Sequence, residues 1–378
     1  MAYRKFKGDR LFIGNSWAPD RSVLITTENG RVETILPEEE AGDDIEQLEG
    51  IICPGFINAH CHLELSHLHH QIPPHTGMVK FLLSVMNLRG TPLETIQEAM
   101  KLADQSMYDS GIVAVGDICN TDHSLALKQN STIRYYNFIE AMGFVAAGAP
   151  QRFEAARELT RRFGETGPAS LVPHAPYSVS PELFQLINQS PAPVRCMHNQ
   201  ESKAEADFFL HGDSDLRELY RAIGVDLSFF NPPGSSSLAA VLPWLSNCEH
   251  LMLVHNVTTS PEDLDLLSRF PSEVFFCLCP NANEYINQSA PPLHLLEAKP
   301  DHIVLGTDSL ASNYQLSITE EIKSIRKTYP TIPLERLLQW ATLNGARALK
   351  MDGELGSFEK GKTPGVVQLH EDQSRRII

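Results

Sequence analysis

Neither a long apolar run nor an excess of basic charge is present in these 378 residues, and each absence closes off a class of function. No stretch comes near the roughly 20 consecutive apolar residues that span a bilayer. The opening MAYRKFKGDRLFIGNSW has no extended apolar core of the secretory type. Lys and Arg number 31 against 47 Asp and Glu, a formal net charge of -16. Such a surface repels phosphate backbones and anionic headgroups, so a small-molecule substrate is expected, with no nucleic acid polymer and no membrane as partner. Seven cysteines, an odd number scattered through apolar runs (Cys196, Cys277, Cys279), give no disulfide framework and read as reduced thiols of a cytoplasmic protein. The glycines lack the spacing of a dinucleotide-binding turn after a first strand, so no nucleotide cofactor is expected. What remains is an ordered chain with 42% apolar residues and ordinary glycine and proline usage. It is long enough for one large α/β domain and a small accessory unit, with a homodimer as the assembly to test.

Residues 1–54 carry short alternating segments, RLFIG, SVLITTENGRVETIL and EQLEGIIC, in which Asn29-Gly30 is a hairpin signal. The acidic run from Glu38 to Asp44 reads as a solvated loop. Residues 349–378, with GELGSFEKGKTPGVVQLH, read again as turns and short strands, so the two ends are expected to close into one β-sandwich. Between them, residues 55–348 alternate apolar strands with helix-like stretches. The strand candidates are 56–59, 112–118, 132–139, 171–172, 194–197, 251–254, 274–278 and 302–305, and eight such units suggest a (β/α)8 barrel. Thr91-Pro92-Leu93-Glu94 reads as a helix start, and residues 317–328 place Ile318, Ile322 and Ile325 on one helical face.

A barrel of this kind does its chemistry at the carboxyl ends of its strands. The first candidate strand ends in Asn58-Ala59-His60-Cys61-His62-Leu63-Glu64. A period of two puts His60 and His62 on one face and Cys61 on the other, so both imidazoles can reach one metal ion. Three further strands run into His198, His255 and Asp308. His60, His62, His198 and Asp308 would form a mixed nitrogen and oxygen site for a zinc-like ion, with a position open to water. Glu201, three residues after His198, is the candidate general acid/base. His255 is open to two readings, a ligand of a second ion or a hydrogen bond that orients the nucleophile. Asp308 can take a proton while remaining a ligand, and Glu205 reads as a solvated helix residue.

The stretches PGFINAHCHLELSHL, LVPHAPYSVS, HNQESKAE, LVHN, CPNANEYI and GTDSLASN together resemble the amidohydrolase superfamily, in its cytosine deaminase, chlorohydrolase and S-adenosylhomocysteine deaminase-like branch. The resemblance covers about residues 50–350, and LNGARALKMDGELGSFEKGK extends it toward the sandwich. It implies a distorted barrel with one divalent ion, zinc first and iron second, on His60, His62, His198 and Asp308, Glu201 as proton shuttle, and His255 in contact with the attacking hydroxide. It also implies that His174 of the HAPY-like motif stands beside the substrate ring or the leaving nitrogen. The strand-four lysine of binuclear relatives has no equivalent before Pro173-His174, which favours a single ion. The chain departs from the branch at His255-Asn256, where His-Cys is common, and at Cys279-Pro280-Asn281-Ala282-Asn283, where an arginine is common.

Glu64, His67, His174 and Asn313 are the substrate-binding candidates. For Glu64 the alternative is an ion pair at the barrel rim, and His67, His69, His70 and His75 lie in a loop where surface imidazoles are the plainer reading. Met78 to Met86 reads as a packed lid helix. The resemblance makes hydrolytic deamination of an aminated heterocycle the expected reaction, on a purine or adenosine-like compound, aminodeoxyfutalosine included. The alternatives are hydrolysis of an amide, a cyclic ureide or a triazine carbon-halogen bond, and a non-catalytic barrel that only binds a small molecule.

Overall fold

The computed structural model describes residues 3–88 and 90–378. Eight parallel strands follow one another as β1 (Phe56–Cys61), β2 (Ile112–Cys119), β3 (Arg134–Ala141), β4 (Ala169–Pro173), β5 (Ala192–Asn199), β6 (Cys248–His255), β7 (Glu273–Leu278) and β8 (Ile303–Leu305). All eight expected strands are present, and β3, β5 and β6 run two residues or one beyond their apolar runs. The reason is pairing: Ala141 stays in register with Pro173, and Asn199 with His255, so backbone hydrogen bonds carry the strands past their apolar stretch.

The strands form two four-stranded halves, β4-β3-β2-β1 and β5-β6-β7-β8. The halves meet at the functional end. His198 N–H donates to the His174 carbonyl at 2.9 Å, and the N–H groups of Thr307 and Asp308 both reach the His60 carbonyl, at 3.0 and 3.1 Å. The result is a distorted closed (β/α)8 barrel. Every residue of β2 is buried, as expected of a strand covered on both faces. Ile57, Ala59, Phe138, Val172, Cys196, Val254, Cys277 and Val304 form one apolar layer inside. Strand residues such as Phe56, Ile139 and Leu253 pack outward against helix residues such as Met100, Phe184 and Ile322.

A register shift in β1 between Asn58 and Cys61 interrupts the strict alternation, so that Ile57 and Ala59 join the interior layer while His60 and His62 also point inward. Gly306 lets β8 approach β1 this closely: a Cβ there would lie 2.8 Å from the His60 Cβ and 2.9 Å from the Cys277 sulfur.

The helix expected from Thr91 begins at Leu93, with Pro92 at its N-cap and the Thr91 hydroxyl turned back to the Leu88 carbonyl. The helices Met78–Leu88 and Ile318–Thr328 lie where the sequence places them, the latter burying Ile318, Ile322 and Ile325. Both chain ends build the accessory unit. One sheet runs Val32–Pro37, Ser22–Thr27, Tyr3–Lys7, Glu46–Gln47, and the other Gln373–Arg376, Val366–His370, Ile51–Pro54, Arg10–Leu11. Phe6, Leu11, Leu24, Ile52, Phe358 and Val366 form their shared apolar cluster. Asn29-Gly30 turns the first hairpin, with Gly30 at φ 81°.

Candidate metal centre and active site

Three strand ends, those of β1, β5 and β8, deliver four side chains to one point. His62 Nε2 lies 3.2 Å from His60 Nε2 and 3.1 Å from His198 Nε2, and Asp308 Oδ1 lies 3.3 Å from His62 Nε2 and 3.6 Å from His60 Nε2. A tetrahedral ion with ligand bonds of about 2.0–2.1 Å sets its ligands about 3.3 Å apart, so the spacing fits zinc. The protonation pattern fits as well. His198 Nδ1–H donates to the His174 carbonyl at 3.0 Å, which leaves the lone pair of Nε2 facing the centre. Burial lowers the pKa of His62, and burial with the neighbouring imidazoles of His174, His60, His62 and His255 holds His198 well below the usual range, so both stay neutral ligands. Burial alone would raise the Asp308 carboxyl, but the His60 hydrogen bond and the facing imidazoles hold it below the carboxylate range. The Ser312 hydroxyl donates to its other oxygen.

The backbone is bent to make this possible. Gln200, His255, Asn256 and Asp308 all have φ between 50° and 75°, the left-handed region that non-glycine residues avoid at a cost of about 1–3 kcal/mol each. Asn256 locks its own bend, donating from Nδ2 to the carbonyls of Leu253 and Cys277 at 2.9 and 3.3 Å, which accounts for asparagine after His255. Asn58 bonds Thr307 twice, at 2.7 and 3.0 Å, and so ties the strand of His60 to the turn of Asp308.

Glu201 and His255 flank the four ligands, with Glu201 Oε1 3.6 Å from His255 Nε2. Burial, then the charges of Asp308, Glu205 and Glu140, pushes the Glu201 carboxyl well above its ordinary range. Burial pushes His255 down to about 4. His255 Nδ1 donates to Asn283 Oδ1 at 2.9 Å, so its buried Nε2 is an acceptor. The His174 ring stands 4.8 Å from that of His198, and its Nδ1 pairs with the Ser178 hydroxyl at 2.5 Å. A cavity of about 470 Å³ lies between the start of the Met78–Leu88 helix and Ser202, Val257 and Thr258, and none of the four converging side chains, Glu201, His255 or His174 lines it.

Three expectations are revised. Glu205 is fully buried rather than solvated: its carboxylate takes the N–H groups of Gln200 and Glu201, both at 3.0 Å, and the Ser237 hydroxyl at 2.5 Å. Asn313, expected at the substrate, spends its amide on the Thr307 carbonyl and Glu321 at 2.9 and 2.8 Å, and its Oδ1 on the Tyr314 N–H at 2.7 Å. It holds the turn after β8. Glu64 makes no ion pair at the rim among the described residues; it accepts from Asn120 N and from Thr121 N and Oγ1 at 2.9–3.2 Å. His67 Nδ1 pairs with the Glu64 carbonyl at 3.1 Å, His69 and His70 stack on each other, and His75 lies 3.6 Å from Glu284. None of these four histidines belongs to a group of potential metal ligands among the described residues.

Sequence reasoning passed over Asn283 and Glu140. Asn283 sits inside the CPNAN stretch without any sign of its partner. Glu140, at the end of β3, lies 3.4 Å from His198 Nδ1, a proximity created by barrel closure.

A sequence model of the Amidohydrolase family matches residues 51–369. The chain belongs to this family. The match begins in the last sandwich strand before the barrel and ends in the first one after it, so it takes in the whole amidohydrolase barrel. An adenosine deaminase of Helicobacter pylori is 27% identical over 334 residues, 82% of this chain and 77% of that protein. An aminodeoxyfutalosine deaminase of Deinococcus radiodurans is 26% identical over 341 residues, 84% and 77% of the two chains. Among solved structures, the H. pylori aminofutalosine deaminase in complex with methylthio-coformycin superposes with a TM-score of 0.80 at 22% identity, covering 97% of this amidohydrolase and 93% of that chain. No helix among the described residues is long and apolar enough to cross a membrane.

Proposed function

We propose that this amidohydrolase is a metal-dependent deaminase acting in the cytoplasm on a purine or adenosine-like heterocycle, exchanging an exocyclic amino group for oxygen from water and releasing ammonia. The convergence of three imidazole Nε2 atoms and Asp308 Oδ1 beside the buried Glu201, whose pKa burial raises, carries the reading. The names of the two curated relatives support the class of ring. We assign the division of the chain as sandwich (1–54), barrel (55–348) and sandwich (349–378).

A zinc ion held by His60, His62, His198 and Asp308 supplies Lewis acidity and lowers the pKa of water. The side chains supply the rest. Burial among other carboxylates raises the pKa of Glu201, which suits its carboxyl to give a proton to a ring nitrogen and, on taking another from water, give it to the leaving amine. His255 Nε2 is held neutral with its lone pair exposed to the site, and accepts the hydrogen bond that aims the water oxygen at the ring carbon. His174 flanks the space beside His198 where the amino group departs. Water adds its oxygen to the ring carbon, the carbon–nitrogen bond breaks, and the nitrogen leaves as ammonia with the protons Glu201 relays.

The test is ammonia release by zinc-loaded protein over aminopurines, adenosine derivatives, aminopyrimidines and aminotriazines, with Glu201→Gln as control. The expected result is release from the purine or adenosine class, with kcat lowered 10²- to 10⁴-fold by Glu201→Gln at unchanged zinc content. Silence across the panel with one equivalent of zinc bound refutes deamination and points to amide, ureide or dehalogenating hydrolysis. Turnover unaffected by Glu201→Gln removes Glu201 from the chemistry.

A further inference from the structure

We infer that Glu140 is a positioning residue of the metal centre, its carboxylate set behind His198 to hold that imidazole as a ligand and strengthen its grip on the ion. The inference rests on the four-ligand reading of His60, His62, His198 and Asp308. Glu140 is the penultimate residue of β3 and is 8% exposed. Its Oε2 is fixed by Asn120 Nδ2 at 3.0 Å, and the backbone N–H of the same Asn120 donates to Glu64 at 3.1 Å. Its Oε1 is buried, receives no hydrogen bond among the described residues, and lies 3.4 Å from His198 Nδ1. A buried carboxylate oxygen left in that state calls for a physical reason.

Glu140, His174 and His198 also form a second group of potential metal ligands within 4.8 Å of one another. A second ion there is ruled out by His198 itself: Nδ1 carries the proton donated to the His174 carbonyl, and Nε2 already faces the first centre. The same N–H gives Glu140 its purpose. A proton directed at the His174 carbonyl and backed by a negative oxygen on one side is held on Nδ1, which keeps the Nε2 lone pair available and makes the ring a stronger donor to a cation. Carboxylates behind metal-bound histidines act in this way, and their loss weakens metal binding about 10- to 100-fold. A direct contact with substrate is the competing role, and it fits less well because Oε1 has no surface open to the site.

The experiment is zinc titration of the apo protein against a chromophoric chelator for the parent, Glu140→Gln and Glu140→Asp, with thermal unfolding of each apo form to establish folding. The parent is expected to bind one zinc. Glu140→Gln, which removes the charge at nearly constant shape, binds it about 10- to 100-fold more weakly. Glu140→Asp, which keeps the charge but withdraws it by one methylene, falls between, and it decides the matter if the Gln variant does not fold. With cobalt(II) in place of zinc, the visible absorption bands of Glu140→Gln shift, and at saturating metal its KM stays at the parental value. Parental zinc affinity in Glu140→Gln overturns the inference while leaving the four-ligand centre intact, and a raised KM at parental affinity makes Glu140 a substrate contact instead. A parent that binds no zinc refutes the four-ligand reading, and this inference with it.

Discussion

Lys128→Met tests how the histidine-bearing strand is anchored. Lys128 Nζ lies 2.5 Å from Asp117 Oδ2, 2.9 Å from Asn137 Oδ1 and 3.0 Å from the Cys119 sulfur, and the side chains of Lys128 and Asp117 are 4% and 0% exposed. Removing one member of a buried pair strands the other charge, at a cost of about 3–5 kcal/mol. For 378 residues the unfolding entropy is about 0.8 kcal/mol/K, so Tm falls by about 4–6 °C. Asp117→Asn in the same chain removes the stranded charge while keeping an acceptor for the Leu63 N–H, which Asp117 Oδ1 takes at 2.8 Å, and recovers more than half of the loss. Burial opposes the Lys128 charge, but Asp117 outweighs it and raises the pKa above that of a free lysine. The stabilisation from the raised Lys128 pKa is therefore complete below about pH 10.4 and lost only above it. Leu63 follows His62 directly, so Lys128→Met also lowers zinc affinity. Differential scanning calorimetry of the three proteins decides. A Tm within 1 °C of the parent for Lys128→Met refutes the argument that the pair is desolvated.

Two further outcomes follow from the same geometry. Zinc at 100 times its dissociation constant stabilises the folded state by about 2.7 kcal/mol, a rise of about 3 °C in Tm that His62→Ala abolishes; an equal rise in the variant places the ion elsewhere. Burial raises Glu321 to about 8 despite its bonds from Asn281 and Asn313. The folded state thus keeps a proton that the unfolded chain has lost, so stability falls as pH rises from about 4.5 to 8. Between pH 6.5 and 8, beyond the range where the depressed histidines act, Glu321→Gln flattens the decline in Tm, and an unchanged slope there assigns the decline to other groups.

The architecture was legible because its signals are short in range. Apolar runs of strand length, separated by helix-period stretches, mark the eight strands, and a two-residue period marks which face His60 and His62 share. Asp308 and His198 stand at the ends of such runs, so the ligand set could be named before any contact was known. The functions of the polar residues around them could not. Glu205 reads like a helix-surface acid, yet its burial depends on Ser237 arriving from a helix 32 residues downstream. Asn313 looks like a loop residue free for substrate until Glu321 is found beneath it.

Local pattern alone therefore settled the strands, the sandwich hairpin and the four converging donors, because periodicity and side-chain type act within a few residues. Tertiary closure decided the rest. It brought Glu140 behind His198, Asn283 against His255 and Lys128 under Asp117, pairs separated by 58, 28 and 11 positions. No spacing rule links such residues. A buried charge or lone pair takes whatever partner the closed barrel presents, since leaving it without one costs about 1–3 kcal/mol or more.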